Sequence, residues 1–359
     1  MTYSPNIAVV IVNWNSGQYL EKCLQSLKVQ TFMPARVLVV DNASTDGSMD
    51  GLEQRFNDWE FIHLDRNTGF AYANNLAVKQ AGDCDWVAFL NPDAFAHPEW
   101  IENLIQAVSR FPDVKMFGSH MLGYENDLID GTGDIYHVSG VAWRRDHGKK
   151  ALEIKRGSGE IFSPCAAASL IFRDIFLEVG GFDEHFYCYN EDVDLGFRLR
   201  LIGHRCVYVS DAVIEHVGSG TTCRYSDFAI YHGQRNLVWS YFRNMPGLWF
   251  WVYLPQHILF CFVSLIWFCL KGKAVPIFKA RWDAFKGLPR VWQLRKNTQN
   301  SKTVAGKKVV NAMNRDFWVP YTQKKIMVIA SPQEADQFLV SDKGSCYRRE
   351  QTLNAYVPD

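Results

Sequence analysis

The sequence predicts an α/β protein built on a doubly wound, mostly parallel sheet, with a helical extension at its C-terminal end. Three observations carry that expectation. Short β-branched runs alternate with segments of helical period from Ile7 to Phe111. The residue just past each run is polar and usually acidic. Past Arg243 the composition changes, first to a charge-free apolar stretch and then to a basic one.

Ile7-Ala8-Val9-Val10-Ile11-Val12 is an unbroken apolar run, the mark of a strand buried on both faces. It ends in Asn13-Trp14-Asn15-Ser16-Gly17, after which Tyr19, Leu20, Cys23, Leu24 and Leu27 recur at helical spacing. Arg36 to Val40 is the second strand and ends in Asp41-Asn42-Ala43-Ser44-Thr45-Asp46-Gly47-Ser48, a turn rich in helix-capping residues. Phe61 to Leu64 is the third, followed by Asp65-Arg66-Asn67-Thr68-Gly69-Phe70 and a helix over 71–81. Trp86 to Leu90 is the fourth; it runs into Asn91-Pro92-Asp93-Ala94, and Pro98 opens a helix over 99–111. Strand and helix in alternation make a parallel sheet.

In such a sheet the carboxyl ends of the strands share one edge, so Asn13, Asp41, Asp65 and Asp93 converge there. Each alone reads as a turn or N-cap residue; four on one edge read as a ligand site. A nucleotide fits it: carboxylates hold base and ribose hydroxyls. Asp93 offers a hard oxygen of the kind that suits Mg²⁺ or Mn²⁺, the ions that accompany phosphates. The first loop is neither G-x-G-x-x-G nor G-x-x-x-x-G-K-S/T, and no Lys or Arg precedes Lys22. Dinucleotide-binding enzymes, P-loop NTPases and sugar-nucleotide pyrophosphorylases are therefore poor matches. Lys+Arg and Asp+Glu both number 38, which argues against a nucleic-acid partner. With 359 residues, 48% of them hydrophobic, a large domain with an appendage is expected. The nine cysteines include no C-x-x-C and no framework spacing, so a reducing cytoplasm is the expected compartment. The N-terminus has no basic leader, and the apolar run after it is too short for a signal peptide.

From Lys115 to Arg173 the pattern loosens into mixed strands and loops. The small-residue run Ser163-Pro164-Cys165-Ala166-Ala167-Ala168 reads as tight core packing, with close approach to a ligand as the other reading. Gly180-Gly181-Phe182-Asp183-Glu184 leads to Tyr189-Asn190-Glu191-Asp192-Val193-Asp194-Leu195, and the spacing of Leu195, Leu199 and Ile202 predicts a helix over 194–202. The helix dipole favours acids at its N-terminus. Three acids so close repel one another, however, and raise one carboxyl toward the range of a general base. His216 follows a short strand over 206–209, ends an apolar run and precedes Gly218-Ser219-Gly220, which suits a further metal ligand.

Residues 7 to about 245 resemble the inverting GT-A glycosyltransferases of family 2, in the bacterial rhamnosyl- and galactofuranosyltransferase-like branch. The matching motifs are Val10 to Ser16, Val39 to Ser48, Asn67 to Ala71, Leu90 to Asp93, Gly180 to Asp183, Glu191 to Leu195 and His216 to Gly218. The resemblance implies a GT-A fold, with a nucleotide-binding half over about 1–115 and an acceptor half over about 116–245. It implies that Asp41 holds the nucleotide base, that Asp65 and Asn67 lie near base and ribose, and that Asn13 and Gly69 belong to the same nucleotide-sugar site. Asp93 is implied as the metal ligand of a D-x-D-type motif, joined by His216. Asp192 is implied as the catalytic base, with Glu191 binding the acceptor or orienting Asp192. The first position of the D-x-D pair is Asn91, whose neutral amide would contact sugar or metal. The implied activity is metal-dependent transfer from a nucleotide-diphosphate sugar, dTDP-rhamnose being the donor the branch suggests. The acceptor would be a glycan or a lipid-linked glycan in cell-surface polysaccharide synthesis. A non-catalytic scaffold that binds sugar nucleotide or glycan is the competing reading; Asp93, Asp192 and His216 together count against it.

Leu248 to Leu270 carries no Asp, Glu, Lys or Arg and reaches the roughly 20 residues needed to span a bilayer. Pro255-Gln256-His257 interrupts it, so a re-entrant or interfacial hairpin stands beside a true span, with a buried core helix as the third reading. Over 271–315 the only acid is Asp283. There Phe278, Trp282, Phe285, Leu288 and Trp292 recur at helical spacing between Lys279, Arg281, Lys286 and Arg290, as in a helix lying on an anionic membrane surface. Residues 246–315 are thus expected to bind the cytoplasmic face of the inner membrane; 316–359 match no pattern, and the oligomeric state is not legible.

Overall fold

The computed structural model describes residues 5–218 and 226–322. Ser219-Gly220 of the loop after His216, and the tail from residue 323 onward, lie outside the described residues. The chain divides into two compact units, Met1–Ile135 with Arg144–Gly220, and Tyr136–Trp143 with Thr221–Asp359.

The first unit follows the alternation in the sequence. β1 (Ile7–Asn13), α1 (Tyr19–Lys28), β2 (Arg36–Asp41), α2 (Leu52–Arg55), β3 (Glu60–His63), α3 (Phe70–Gln80), β4 (Trp86–Leu90), β5 (Ala94–Ala96) and α4 (Trp100–Arg110) come first. The looser middle supplies β6 (Met116–Gly123), β7 (Ile129–Gly131), β8 (Asp134–Tyr136), β9 (Ala142–Arg144), β10 (Gly159–Ile161) and β11 (Ala168–Phe172). α5 (Arg173–Glu178), α6 (Glu191–Leu201) and β12 (Cys206–His216) complete it. The main sheet has the order β10-β12-β6-β11-β4-β1-β2-β3, with β5 on β12 and β7 on β6; β8 and β9 pair as a separate ribbon.

Strict alternation along β1 explains the two helical layers. Ile7, Val9 and Ile11 pack with Leu20, Leu24 and Leu27 of α1 and with Trp100 and Leu104 of α4. Ala8, Val10 and Val12 face the other way, onto Ala73 and Ala77 of α3 and Leu195 and Leu199 of α6. Both faces are covered, hence the unbroken apolar run.

Strands β3, β2, β1, β4, β6 and β12 run in one direction, and β11, inserted between β4 and β6, runs against them. The carboxyl ends of the first group and the amino end of β11 therefore lie on one edge. β1 is flanked by β2 and β4, the switch in strand order at which open α/β sheets bind ligands.

Three local expectations need correction. β12 does not stop at Val209; a register shift between Val209 and Val213 lets it continue past Ser210-Asp211 to His216. α6 begins at Glu191 rather than Asp194, because Asn190 adopts a left-handed conformation (φ 64°) that turns the chain straight into the helix. Glu191 and Asp192 thus lie inside the first turn.

The third correction falls in the second unit, which contains α7 (Asp227–Asn244), α8 (Gly247–Leu270), α9 (Ala274–Asn300), α10 (Gly306–Asn311) and α11 (Val319–Thr322). α8 is one helix of 24 residues that continues through Pro255. The polar residues beside that proline do not break it, because His257 is buried, its Nδ1 2.7 Å from the Ser139 carbonyl oxygen and its ring stacked on Tyr241. α7 packs along α9, and Gly287 makes this possible: a Cβ there would meet Trp239 Cζ2 at 2.5 Å. α7 thus belongs to this unit with α8 and α9. Arg281 also departs from its expected outward position; it turns inward and donates to the Gln234 carbonyl and to Ser264 Oγ, both at 2.7 Å. Phe278, Trp282, Phe285 and Trp292 of α9 stay exposed, as do Trp251, Ile258, Phe262 and Leu270 of α8.

Candidate active site

The β1–β2 register sets Asn13 opposite Asp41. Asn13 is fully buried, and its Nδ2 donates to Ser44 Oγ (3.0 Å), Ser48 Oγ (2.9 Å) and Asp41 Oδ1 (3.4 Å), while its Oδ1 accepts from Ser16. Its amide is spent on holding the turn after β2. Asp41 Oδ1 also accepts the Ser44 N–H (3.2 Å), and Oδ2 lies 3.7 Å from His63 Nδ1. The neighbour Asn42 ties this turn to the next loop: its Nδ2 donates to Asn67 Oδ1 (3.0 Å) and the Gly69 carbonyl (3.2 Å), and its Oδ1 accepts the Thr68 N–H (2.8 Å). Gly69 has φ +84°, and a Cβ there would lie 2.6 Å from the Tyr187 ring, so no other residue fits. Asp65 is exposed in the loop after β3.

The next strand end is held by the backbone. The Asn91 N–H donates to the Ala167 carbonyl (2.9 Å), and the Asn91 carbonyl accepts from Ala94 (3.0 Å). β5 then pairs with the end of β12, Ala94 opposite His216. That register brings Asp93 Oδ1 to 3.3 Å from His216 Nε2. On its other side His216 Nδ1 lies 2.8 Å from Asp130 Oδ2. Asp130 in turn receives Arg144 Nη1, and His147 Nδ1 sits 2.7 Å from its carbonyl oxygen. Burial pushes the His216 imidazole down, but the Asp93 and Asp130 carboxylates outweigh it and hold the group up at about 9. Burial would likewise raise Asp130, yet Arg144 and His216 hold it well below the usual carboxylate range.

Asp93 and His216 offer an oxygen and a nitrogen of the kinds that hold divalent cations. Among the described residues no three His, Cys, Asp or Glu side chains form a metal-holding group. His216 Nε2 is buried without a hydrogen-bond partner, while Asp130 fixes the opposite nitrogen, as carboxylates orient ligating imidazoles. An octahedral Mg²⁺-type ion binds at roughly 2.1 Å, which sets neighbouring ligands roughly 3 Å apart, close to the separation of these two atoms.

Across the edge, Asp192 Oδ2 accepts the Ala166 N–H (3.1 Å) and Oδ1 its neighbour Val193 N–H (2.8 Å). The small-residue run packs tightly, Ser163 against Gly196 and Pro164 against Gly118, and its backbone holds the Asp192 carboxylate. Burial raises the Asp192 carboxyl above its ordinary value despite these N–H donors and Arg144. Burial, then Asp192 and Asp194, raise Glu191 far above the carboxylate range, and Glu191 Oε2 is buried with no hydrogen-bond partner. Asp194 is not part of this pair; it bonds Arg198 Nε at 2.7 Å, and Arg198 clamps the Val179 and Gly181 carbonyls. Asp134, raised to about 8 by burial and by Asp192, completes the acidic group.

The sequence profile described as Glycosyl transferase family 2 matches residues 8–180. An N-acetylglucosaminyl-diphospho-decaprenol L-rhamnosyltransferase from Mycobacterium tuberculosis is 32% identical over 242 residues, which cover 61% of this chain and 78% of that one. The chain belongs to glycosyl transferase family 2. Solved structures agree on the fold. GalNAc-T7 with UDP, GalNAc and Mn²⁺ superposes with a TM-score of 0.63 at 13% identity, over 90% of this chain and 59% of that one. Staphylococcus aureus TarS 1–349 with UDP-GlcNAc gives 0.57 at 18%, over 89% and 92%. The mixed α/β architecture with a mostly parallel central sheet is consistent with GT-A.

For a family 2 chain, the sequence reading left out Asn42, Asp130, Asp134 and Arg144. Asp130-Gly131-Thr132-Gly133-Asp134 did carry a signal, two acids spaced by glycines. Arg144 carried none.

Proposed function

We propose that the protein is an inverting glycosyltransferase that moves a sugar, rhamnose from dTDP-rhamnose, to a lipid-linked or glycan acceptor. What supports this most is the pairing of β5 with the end of β12, which sets the buried His216 Nε2 3.3 Å from Asp93 Oδ1. The named activity of the Mycobacterium tuberculosis relative supports the sugar and the acceptor class. Asp93 and His216 would hold Mg²⁺ or Mn²⁺, which would neutralise charge on the leaving diphosphate. Asp41, Asp65 and Asn67 bind base and ribose, with Gly69 admitting the chain closely and Asn91 facing the sugar. Asp192, aimed by the Ala166 N–H, takes the proton of the acceptor hydroxyl as that oxygen attacks the anomeric carbon from the face opposite the diphosphate. A carboxyl raised by burial is a stronger base than an exposed one. Glu191, protonated, donates to the acceptor. The nucleotide half ends near residue 115 and the acceptor half near 245. Offered a panel of sugar nucleotides with Mn²⁺ and a prenyl-diphosphate-linked N-acetylglucosamine, the protein transfers a deoxyhexose, read as the mass gain of the acceptor. Transfer of no sugar from any donor would contradict the reading.

The second unit is proposed to rest on the anionic cytoplasmic face of the inner membrane. α8 is long and apolar enough to cross a bilayer, and the exposed aromatics of α9 stand beside exposed Lys271, Lys279 and Lys286. Each such lysine contributes about 1 kcal/mol near an anionic surface. Trp282→Glu with Phe285→Glu is expected to cut co-sedimentation of the full chain with anionic vesicles severalfold at low salt. Unchanged sedimentation would count against this surface.

A further inference from the structure

We propose that Arg144 is a positioning residue that sets the metal-side histidine and the catalytic base together. This rests on the reading of the site given above. The guanidinium has two arms at work. Nη1 donates to Asp130 Oδ2, the same oxygen that lies 2.8 Å from His216 Nδ1. Nη2 lies 3.1 Å from Cys165 Sγ, and the next residue, Ala166, is the one whose N–H holds Asp192 Oδ2. One side chain thus joins the carboxylate behind His216 to the loop behind Asp192. Arg144 ends β9, a strand of three residues, and Asp130 sits in β7, equally short; neither strand has much of a ladder to fix it. The fork ties the two instead, and only a planar guanidinium spans both partners.

Its charge matters as well as its shape. The groups that face Asp192 are Glu191 and the Val193 N–H on α6, Asp134 on β8, Cys165 and the Ala166 N–H on the loop before β11, Cys188 before α6, and Arg144. Burial is what keeps the Asp192 proton on. Arg144, with the Ala166 and Val193 N–H groups, works against burial and lowers the Asp192 pKa.

The two roles separate in experiment. Asp192 must be deprotonated to act, so removing the cation raises its pKa and moves the acid limb of turnover to higher pH. An arginine that only stabilised the fold would lower turnover alike at every pH. In the full-length protein, Arg144→Met is expected to bind Mn²⁺ roughly 10-fold more weakly, the lower end of the loss for an outer-shell partner. This is read by electron paramagnetic resonance of free Mn²⁺ with dTDP present. The acid limb of kcat is expected to rise by about one pH unit. Arg144→Lys keeps the charge without the fork: Mn²⁺ affinity falls and the acid limb stays near that of the parent. Asp130→Asn should lose Mn²⁺ affinity with no shift of the limb. A folded Arg144→Met with parental Mn²⁺ affinity and an unmoved limb overturns the proposal. If that variant does not fold, Arg144→Lys with parental Mn²⁺ affinity overturns it alone. Parent protein that transfers no sugar would sink the proposed function, while the Mn²⁺ titrations would still read the Arg144 arm.

Discussion

Asp192→Asn keeps donor binding close to the parent value and lowers turnover by roughly 10²-fold or more, the scale of a lost general base. The substitution is nearly isosteric. Its amide oxygen can still accept the Ala166 N–H, so the loop before β11 stays in place. What is lost is the ability to take a proton, and only the step that needs one suffers. Calorimetry with dTDP-rhamnose and Mn²⁺ reads the binding, and single-turnover transfer reads the step. Near-parental turnover would show that Asp192 is not the base. The direction of the pH dependence follows from the raised carboxyl. Transfer by the parent falls as pH drops through the Asp192 pKa, which lies above that of an ordinary aspartate.

The second large effect is at the metal side. Asp93→Ala and His216→Ala each weaken Mn²⁺-dependent binding of dTDP, by at least the roughly 10–100-fold that loss of an outer-shell partner costs. The reasoning is the shared position of Asp93 Oδ1 and His216 Nε2, 3.3 Å apart and both buried. His216→Ala also leaves Asp130 facing Arg144 without the imidazole, so its melting temperature should be measured beside the titration. An unchanged Mn²⁺ requirement in the His216 variant would remove that residue from the site.

Much of the sheet edge was legible because burial on both faces writes strands as unbroken apolar runs. Asn13 and Asp41 stand out for that reason, each breaking such a run at its carboxyl end, and Asp93 follows shortly after the run that ends at Leu90. The bonds of Asn13 to Ser16, Ser44 and Ser48, by contrast, are contacts that only the folded turn reveals. The Asp93–His216 contact depends on β5 pairing with β12 across a long stretch of sequence, and β5 has only three residues, too few for any period. The same brevity hid Asp130, Asp134 and Arg144, which lie in β7, β8 and β9, strands of three residues each. The start of α6 was missed because a left-handed Asn190 is a backbone event with no hydrophobic signature. At Pro255 the local rule did not hold, for α8 runs on through the proline while His257 is buried against Ser139 and Tyr241.

The most direct test of the whole account is the anomeric configuration of the product. A single Asp192-assisted displacement, with no covalent enzyme intermediate, must invert the sugar. Proton NMR of the rhamnosylated acceptor, formed from dTDP-rhamnose with Mn²⁺, should show the configuration opposite to that of the donor. A product that retains the donor configuration would contradict it.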